Sequence, residues 1–343
     1  FLAPGFAGIA VCEFLFAAGL TLTSGADSAY LYDQLRAAGR ADEYLRREAT
    51  AAGAKYVGLA VAAAAGGLLV HFVDASATFL VTAAASFGAC AITLLFPATH
   101  ESTLRRREAD RTRIGERISE AVGTIKRNRA IWYVILYSSL IFVLIRVSDT
   151  LFQPVLRNQG FNMMGIGFAF AGLSFVAAVA ALRLGRVSWK RWENPLLWAM
   201  PLFLAACYLF VSMFGPFMAV ALMVPHFVVS GVYSPVVKTL INQQLTDSHV
   251  RATVLSAESA VKRGVVLAVT LVLSLIFELS RSSGGDGVPS QTGMRPALLL
   301  CGAIALLALV MHYLFQRQRQ PPAPRPGEPR VAPAPEGAPV RSR

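Results

Sequence analysis

Long continuous apolar runs are the feature that most constrains what this chain folds into. A helix needs about 20 apolar residues to cross a hydrocarbon core about 30 Å thick, and these runs reach that length. Their residues do not alternate between apolar and polar, which excludes a transmembrane barrel. The sequence therefore predicts an all-α integral membrane protein with about nine transmembrane helices. The predicted spans are 5–32, 54–74, 77–97, 130–152, 162–184, 195–214, 216–237, 261–281 and 294–315.

Composition and charge support this class of protein. Apolar residues make up 55% of the chain and charged residues 15%, whereas soluble proteins carry about 25% charged residues. The net charge of +12 would suggest nucleic-acid binding in a soluble protein, but here the basic residues lie between the apolar runs. We therefore expect these residues to face the anionic surface of a lipid bilayer, and we expect no nucleic-acid partner.

The distribution of basic residues predicts the orientation of the spans. Alternate connections hold 28 of the 32 Lys and Arg residues, and such residues accumulate in cytoplasmic loops. We therefore expect a multi-pass protein of the plasma membrane whose C-terminus is cytoplasmic and whose first residue lies outside. The predicted cytoplasmic stretches are 33–55, 98–129, 183–193, 238–263 and 316–343.

The spans fall into two groups. Residues 1–97 are predicted to form a partial N-terminal bundle of three spans, and residues 130–315 a C-terminal bundle of six. Between them, 98–129 is interpreted as a charged cytoplasmic loop, and the tail 316–343, with eight of the 18 prolines, as disordered. Paired repeats give even numbers of spans, so an odd number with an external start predicts that further spans precede this sequence.

Two segments carry a resemblance to a known family. Residues 24–33 read SGADSAYLYD and are followed by Gly39-Arg40 and Glu43-Tyr44. This run resembles the fourth helix and following loop of a group of major facilitator superfamily transporters. Asn242 and the segment 251–256, with Arg251-Ala252-Thr253 and Ser256, resemble the loop before the eleventh helix of that family. The resemblance covers about residues 1–315 and implies that the spans correspond to helices four to twelve, with an incomplete N-terminal bundle.

The resemblance implies a function. Members of this family are secondary active transporters, so it implies a monomer that moves a small solute by alternating access, with proton coupling as a weaker hypothesis. The sequence contains no P-loop, nucleophile motif or metal-ligand spacing, so we expect no enzymatic activity, no cofactor and no metal. The alternative is a membrane receptor or scaffold that has the same architecture and does not transport.

A glycine pattern in the second span leaves two interpretations open. The antiporter signature of the family's fifth helix, GxxxGPxxGG, falls on Gly58, Ala62, Ala63, Gly66 and Gly67. Three of the five signature positions match, but the central Gly-Pro is replaced by Ala-Ala. The pattern is compatible with proton-antiport drug efflux. Glycines that let two helices approach closely are the favoured interpretation.

Ionisable groups inside the spans are candidates for a substrate or proton site, because burying them in a membrane is costly. From the outer ends of their spans, Glu13 lies about 12 Å deep, Arg146 about 9 Å and His226 about 15 Å. The resemblance places their spans around one cavity, so we expect Glu13 and Arg146 to face each other across it. The further candidates for this site are Asp149, Tyr137 and Gln153.

Each candidate also has a purely structural interpretation. The structural alternative for Glu13 and Arg146 is an ion pair that does not contact the substrate. His226, flanked by Pro225 and Pro235, is either a core histidine or a proton carrier. Asp149 lies near the outer boundary, where solvation is equally compatible with its position.

Polar residues at the predicted cytoplasmic ends suggest an inner gate. Asp27 and Asp33 lie at the end of the first span, Arg40 follows them, and Arg251 lies in the second family-like segment. We interpret these four residues as a gate or loop lock rather than as a substrate site. At the start of the eighth span, the i,i+4 pair Glu258 and Lys262 is interpreted as a local helix pair.

The orientation yields a prediction that cysteine labelling tests. In a variant whose four native cysteines are replaced, an impermeant thiol reagent added outside cells should label a cysteine at Ser76 or Ser283. It should not label one at Ser119 or Ser188, because those positions lie in the predicted cytoplasmic connections. External labelling at Ser119 would contradict both the orientation and the alignment with the family.

Overall fold

The computed structural model describes residues 5–23, 26–94, 123, 125, 128–245, 248–281 and 291–319, and all its regular structure is helical. A 3₁₀ turn at Ala41–Glu43 precedes the third α-helix. The α-helices are α1 Phe6–Thr23, α2 Ala26–Ala37, α3 Tyr44–Phe72, α4 Ala75–Leu94, α5 Arg129–Asn158, α6 Met163–Leu184, α7 Trp189–Phe210, α8 Pro216–Gln244, α9 Ser248–Arg281 and α10 Gln291–Arg319.

Eight helices among the described residues, α3 to α10, are long and apolar enough to cross a membrane. The predicted all-α, multi-span architecture is therefore confirmed. The predicted first span, 5–32, is covered by two helices, α1 and α2, and is not among these eight. With 12 residues, α2 is about 18 Å long, which is too short for a hydrocarbon core of about 30 Å.

Several helices extend beyond the apolar spans predicted for them. The helix α3 begins at Tyr44 instead of 54, and α9 begins at Ser248 instead of 261. Hydropathy detects only the part of a helix that lies in hydrocarbon, whereas the backbone hydrogen bonds continue into the polar interface. The helices α3, α5, α7 and α9 begin on one side of the bundle. This side is called the basic side below.

The helices α3 and α6 pack antiparallel along their lengths. They join the first group of helices, α1 to α4, to the second group, α5 to α10. At one end Gly185 lies against Ala49 and, one turn further along α3, Gly53 faces Leu182; at the other end Gly67 lies against Gly167. A Cβ atom on Gly167 would lie 2.7 Å from the Cα of Gly67, closer than real contacts allow. The favoured interpretation of Gly67, a close helix approach, is therefore confirmed, while Gly58 and Gly66 have open space around them.

The buried core lies mainly among α5 to α10. Asn128 caps α5 by accepting hydrogen bonds from the backbone N–H groups of Ala130 and Ile131. The helix α8 packs against α3, α5, α6 and α7, and it approaches α6 so closely that a Cβ on Gly231 would lie 2.2 Å from the Ala177 carbonyl oxygen. Small residues therefore set the spacing of α6 from both α3 and α8.

Parts of the predicted domain organisation fall outside the described residues. Within the charged loop 98–129 only residues 123, 125, 128 and 129 are described, and the tail 316–343 is described to residue 319. The helix α10 continues four residues into that tail, to Arg319. The assignment of the rest of these segments as loop and disordered tail stays a prediction.

The close contact of α3 with α6 predicts the effect of two alanine substitutions on one helix. Gly167→Ala should destabilise the protein by about 1–3 kcal/mol, because the new methyl group meets the backbone of Gly67 and the Ala63 carbonyl oxygen. Gly172→Ala, at a position with nothing within 4 Å, is the matched control and should not destabilise the protein, since alanine favours a helix more than glycine does. Thermal unfolding of the purified variants measures both, and equal melting temperatures would contradict the contact.

Candidate functional site

A cavity of about 860 Å³ lies between α3, α5, α6 and α8, with contributions from Thr78 of α4 and Lys262 of α9. It lies beside the α3–α6 contact, so helices of both groups form its walls. Four of the predicted site residues line it: Arg146, Asp149, Gln153 and His226. The first three of these occupy positions i, i+3 and i+7 of α5 and therefore share one face of that helix.

Arg146 and Asp149 form an ion pair with an Nη1–Oδ2 distance of 2.8 Å. Their side chains are 53% and 57% exposed, so both charged groups face open space in the cavity and not the packed core. The side chain of Glu13 lies outside the described residues. Its predicted contact with Arg146 therefore stays a prediction, and the described partner of the guanidinium is on the same helix.

His226 is 1% exposed and lies among aromatic rings where α8 meets α5 and α7. Its ring contacts Phe152 edge-on with a centroid distance of 4.9 Å, and Tyr208 with a distance of 5.8 Å. Neither ring nitrogen has a hydrogen-bond partner in the part of the chain that the structure describes. The helix α8 stays continuous through Pro225 and Pro235, so these prolines do not interrupt it.

Tyr137 is not among the residues that line the cavity. Its hydroxyl donates a 2.5 Å hydrogen bond to the Leu197 carbonyl, and the residue is 1% exposed. The Tyr208 hydroxyl likewise donates to the Leu144 carbonyl. These two bonds cross between α5 and α7 and hold the helices in register.

The ion pair Glu48–Lys238 joins α3 to α8 near the basic side, and the sequence analysis did not single it out. The Lys238 ammonium lies 2.6 Å from Glu48 Oε1, and the Ser28 hydroxyl of α2 donates to Oε2 over 3.3 Å. The side chains are 9% exposed for Glu48 and 24% for Lys238. Three helices therefore meet at one carboxylate. Both charged residues also line the cavity.

Glu258 and Lys262 form the local pair on α9 that their spacing predicted, at 2.8 Å. The pair also makes contacts beyond its own helix. The Ser138 hydroxyl of α5 donates to Glu258 Oε1 over 3.0 Å, and the Lys262 ammonium lies 5.0 Å from the centre of the Phe142 ring. Lys262 therefore connects α9 to the cavity face of α5.

Lys55 and Tyr56 of α3 complete the polar lining near the middle of the cavity. The Tyr56 hydroxyl donates a 2.8 Å hydrogen bond to the Ser230 carbonyl of α8. The Lys55 ammonium lies 5.7 Å from the centre of the Tyr56 ring. Lys55 forms no ion pair with any described residue.

The predicted gate residues are only partly described. Asp33 is buried, 5% exposed, on α2 at the basic side. Arg40 forms an exposed pair with Glu43 at 2.6 Å, and this hydrogen-bonded carboxylate raises the pKa of the Arg40 guanidinium. The side chains of Asp27 and Arg251 lie outside the described residues. Within the described segments, no group of three or more His, Cys, Asp or Glu residues could hold a metal ion.

Comparison with known proteins identifies the family. Residues 6–277 match the family model described as Major Facilitator Superfamily, which covers most of the 343-residue chain. Searches of curated proteins and of solved structures returned no match. The match supports the resemblance noted in the sequence, and the eight membrane-crossing helices agree with it. The chain belongs to the major facilitator superfamily and is a multi-pass membrane transport protein, not an enzyme.

Proposed function

We propose that the protein is a secondary active transporter that moves a small solute through this cavity by alternating access. The observation that carries the proposal is the set of charged side chains that line a cavity between helices of both groups. Charges within membrane spans are costly and mark solute or ion pathways. In transporters of this kind such sites lie where two halves of the protein meet, so rocking of the halves exposes the site to either side in turn.

Within this proposal, Arg146, Asp149, Gln153 and His226 contact the solute. Arg146 and Asp149 support this role because their charged groups face the cavity and, within the described part of the chain, form an ion pair with each other. Glu13 is proposed to approach Arg146 from α1 and to complete the polar site. Tyr137 is proposed to position α5 against α7 instead of contacting the solute, because its hydroxyl is held by the Leu197 carbonyl.

We further propose that the Glu48–Lys238 pair closes the basic side of the cavity. The pair connects α3 of the first group to α8 of the second, so it must break when the two groups separate at this side. Asp27, Asp33, Arg40 and Arg251 are proposed to support the same gate. The basic side is proposed to face the cytoplasm of a plasma-membrane protein that acts as a monomer, with Glu13 or His226 carrying a coupled proton.

The proposed gate predicts how substitutions change access from the basic side. Glu48→Gln or Lys238→Gln should raise the labelling rate of a cysteine at Ser234, which lines the cavity, by about tenfold, because removing one partner of a buried pair destabilises the closed state. Inside-out vesicles and an impermeant thiol reagent measure this rate. The exchange Glu48→Lys with Lys238→Glu should restore slow labelling.

A matched control for this experiment is Arg47→Gln, which breaks an exposed pair with Glu43. We expect it to leave the labelling rate at Ser234 unchanged, since exposed pairs contribute little. If the single variants and the charge exchange all label at the wild-type rate, the pair does not close the cavity.

Transport and its coupling are tested by uptake into proteoliposomes that hold the full gene product. We expect at least one solute from a mixed panel of small metabolites to accumulate saturably above protein-free vesicles, with a rate that depends on pH. Glu13→Gln or His226→Gln should flatten that pH profile if the residue carries the proton. A profile unchanged in both variants would contradict coupling through these residues, and no accumulation of any solute would contradict transport.

A further inference from the structure

We propose that the cavity binds an organic anion and that Lys55 holds its acidic group. This inference rests on the proposed function, because it takes the cavity as the place where the solute binds. It names the chemical class of that solute, a molecule with one anionic group and an apolar body. The evidence is the charge pairing in the cavity, the surroundings of Lys55 and the arrangement of polar and apolar walls.

The first observation is a cation left over after pairing. Four basic side chains line the cavity, and three of them each have one carboxylate partner. The fourth, Lys55, has none among the described residues, and its side chain points into open space. The pairs are Arg146–Asp149, Lys238–Glu48 and Lys262–Glu258.

The second observation is the field that acts on this ammonium. The other cations that line the cavity are Arg146, Lys238 and Lys262. Each of them is paired with a carboxylate, so their charges are largely cancelled. Lys55 therefore leaves the described lining with one net positive charge. An anionic group placed there would gain a charge-assisted hydrogen bond from the Lys55 ammonium, whereas a cation would be repelled.

The third observation is the shape and polarity of the space beyond Lys55. From Leu59 to Val70, one to four turns further along α3, the lining is apolar or glycine, and Ile166 and Phe170 of α6 continue this surface. Along α3, the polar lining residues Glu48, Lys55 and Tyr56 therefore lie closer to the basic side, and an apolar wall extends away from it. The volume of about 860 Å³ lies within the range of about 300–1,000 Å³ typical of small-molecule sites.

The experiment compares three probes that share one ring system and differ in charge: 2-naphthoate, 2-naphthamide and 2-naphthylmethylammonium. Equilibrium dialysis against the full gene product in nanodiscs of neutral lipid gives each Kd at pH 7.5. We expect naphthoate to bind most tightly. Lys55→Gln should weaken its binding about tenfold or more and leave naphthamide unchanged, while Lys55→Arg should stay within about threefold of wild type.

The matched control is Lys190→Gln, which removes an exposed cation at the start of α7, outside the cavity. It should not change naphthoate binding. A second measurement needs no variant of Lys55: raising sodium chloride should weaken naphthoate binding to the wild-type protein several-fold but not naphthamide binding, because salt screens only the charged ligand.

Several results would overturn the anion site. These are a wild-type protein that binds none of the probes, one that does not favour naphthoate, and equal effects of Lys55→Gln and Lys190→Gln. If uptake assays show transport of a neutral or cationic solute while the dialysis test fails, the proposed function stands and only the anion site falls. Lys55-dependent naphthoate binding without uptake of any solute would support the site and overturn transport.

Discussion

The contact between α3 and α6 is the constraint on which the rest of the architecture depends. It brings two backbones together at Gly67 and Gly167, where no side chain fits between them, and it continues to Ala49 and Gly185 at the other end. Because van der Waals contact falls off steeply with distance, a small separation of the two helices at either end of this seam would lose the contacts at that end. The cavity lies beside this seam, so its width depends on whether the seam stays closed at each end.

The ion pairs of the cavity serve two different purposes. Arg146–Asp149 and Glu258–Lys262 each lie within one helix, so a rigid-body movement of that helix does not strain them. Glu48–Lys238 joins helices of different groups and must break if those groups separate. In the proposed transport cycle, pairs within a helix would stay intact while the helices move, whereas the pair between groups would stabilise only the closed arrangement.

The sequence predicted which helices span the membrane better than it predicted the rotation of each helix. Helical rise fixes depth, so Arg146 and His226 were correctly expected within the membrane-spanning helices, and both line the cavity. Tyr137 lies nine residues before Arg146, about two and a half turns, and this spacing turns it to the opposite face of α5. The side-chain contacts of Glu48 were missed because hydropathy placed the start of the span at 54, although α3 begins at Tyr44.

Lys55 lies at the start of the predicted span 54–74 and was also counted in the basic stretch 33–55, so it was not singled out as a site residue. Lys55, Lys238 and Lys262 all belong to the stretches whose basic residues predicted the orientation, yet the helices carry them into the cavity lining. Near the edge of the hydrocarbon, hydration through the cavity offsets part of the desolvation that a charge at mid-membrane would suffer. A bound anion at this level would replace water around an existing cation, so the site would require no new buried charge from the protein.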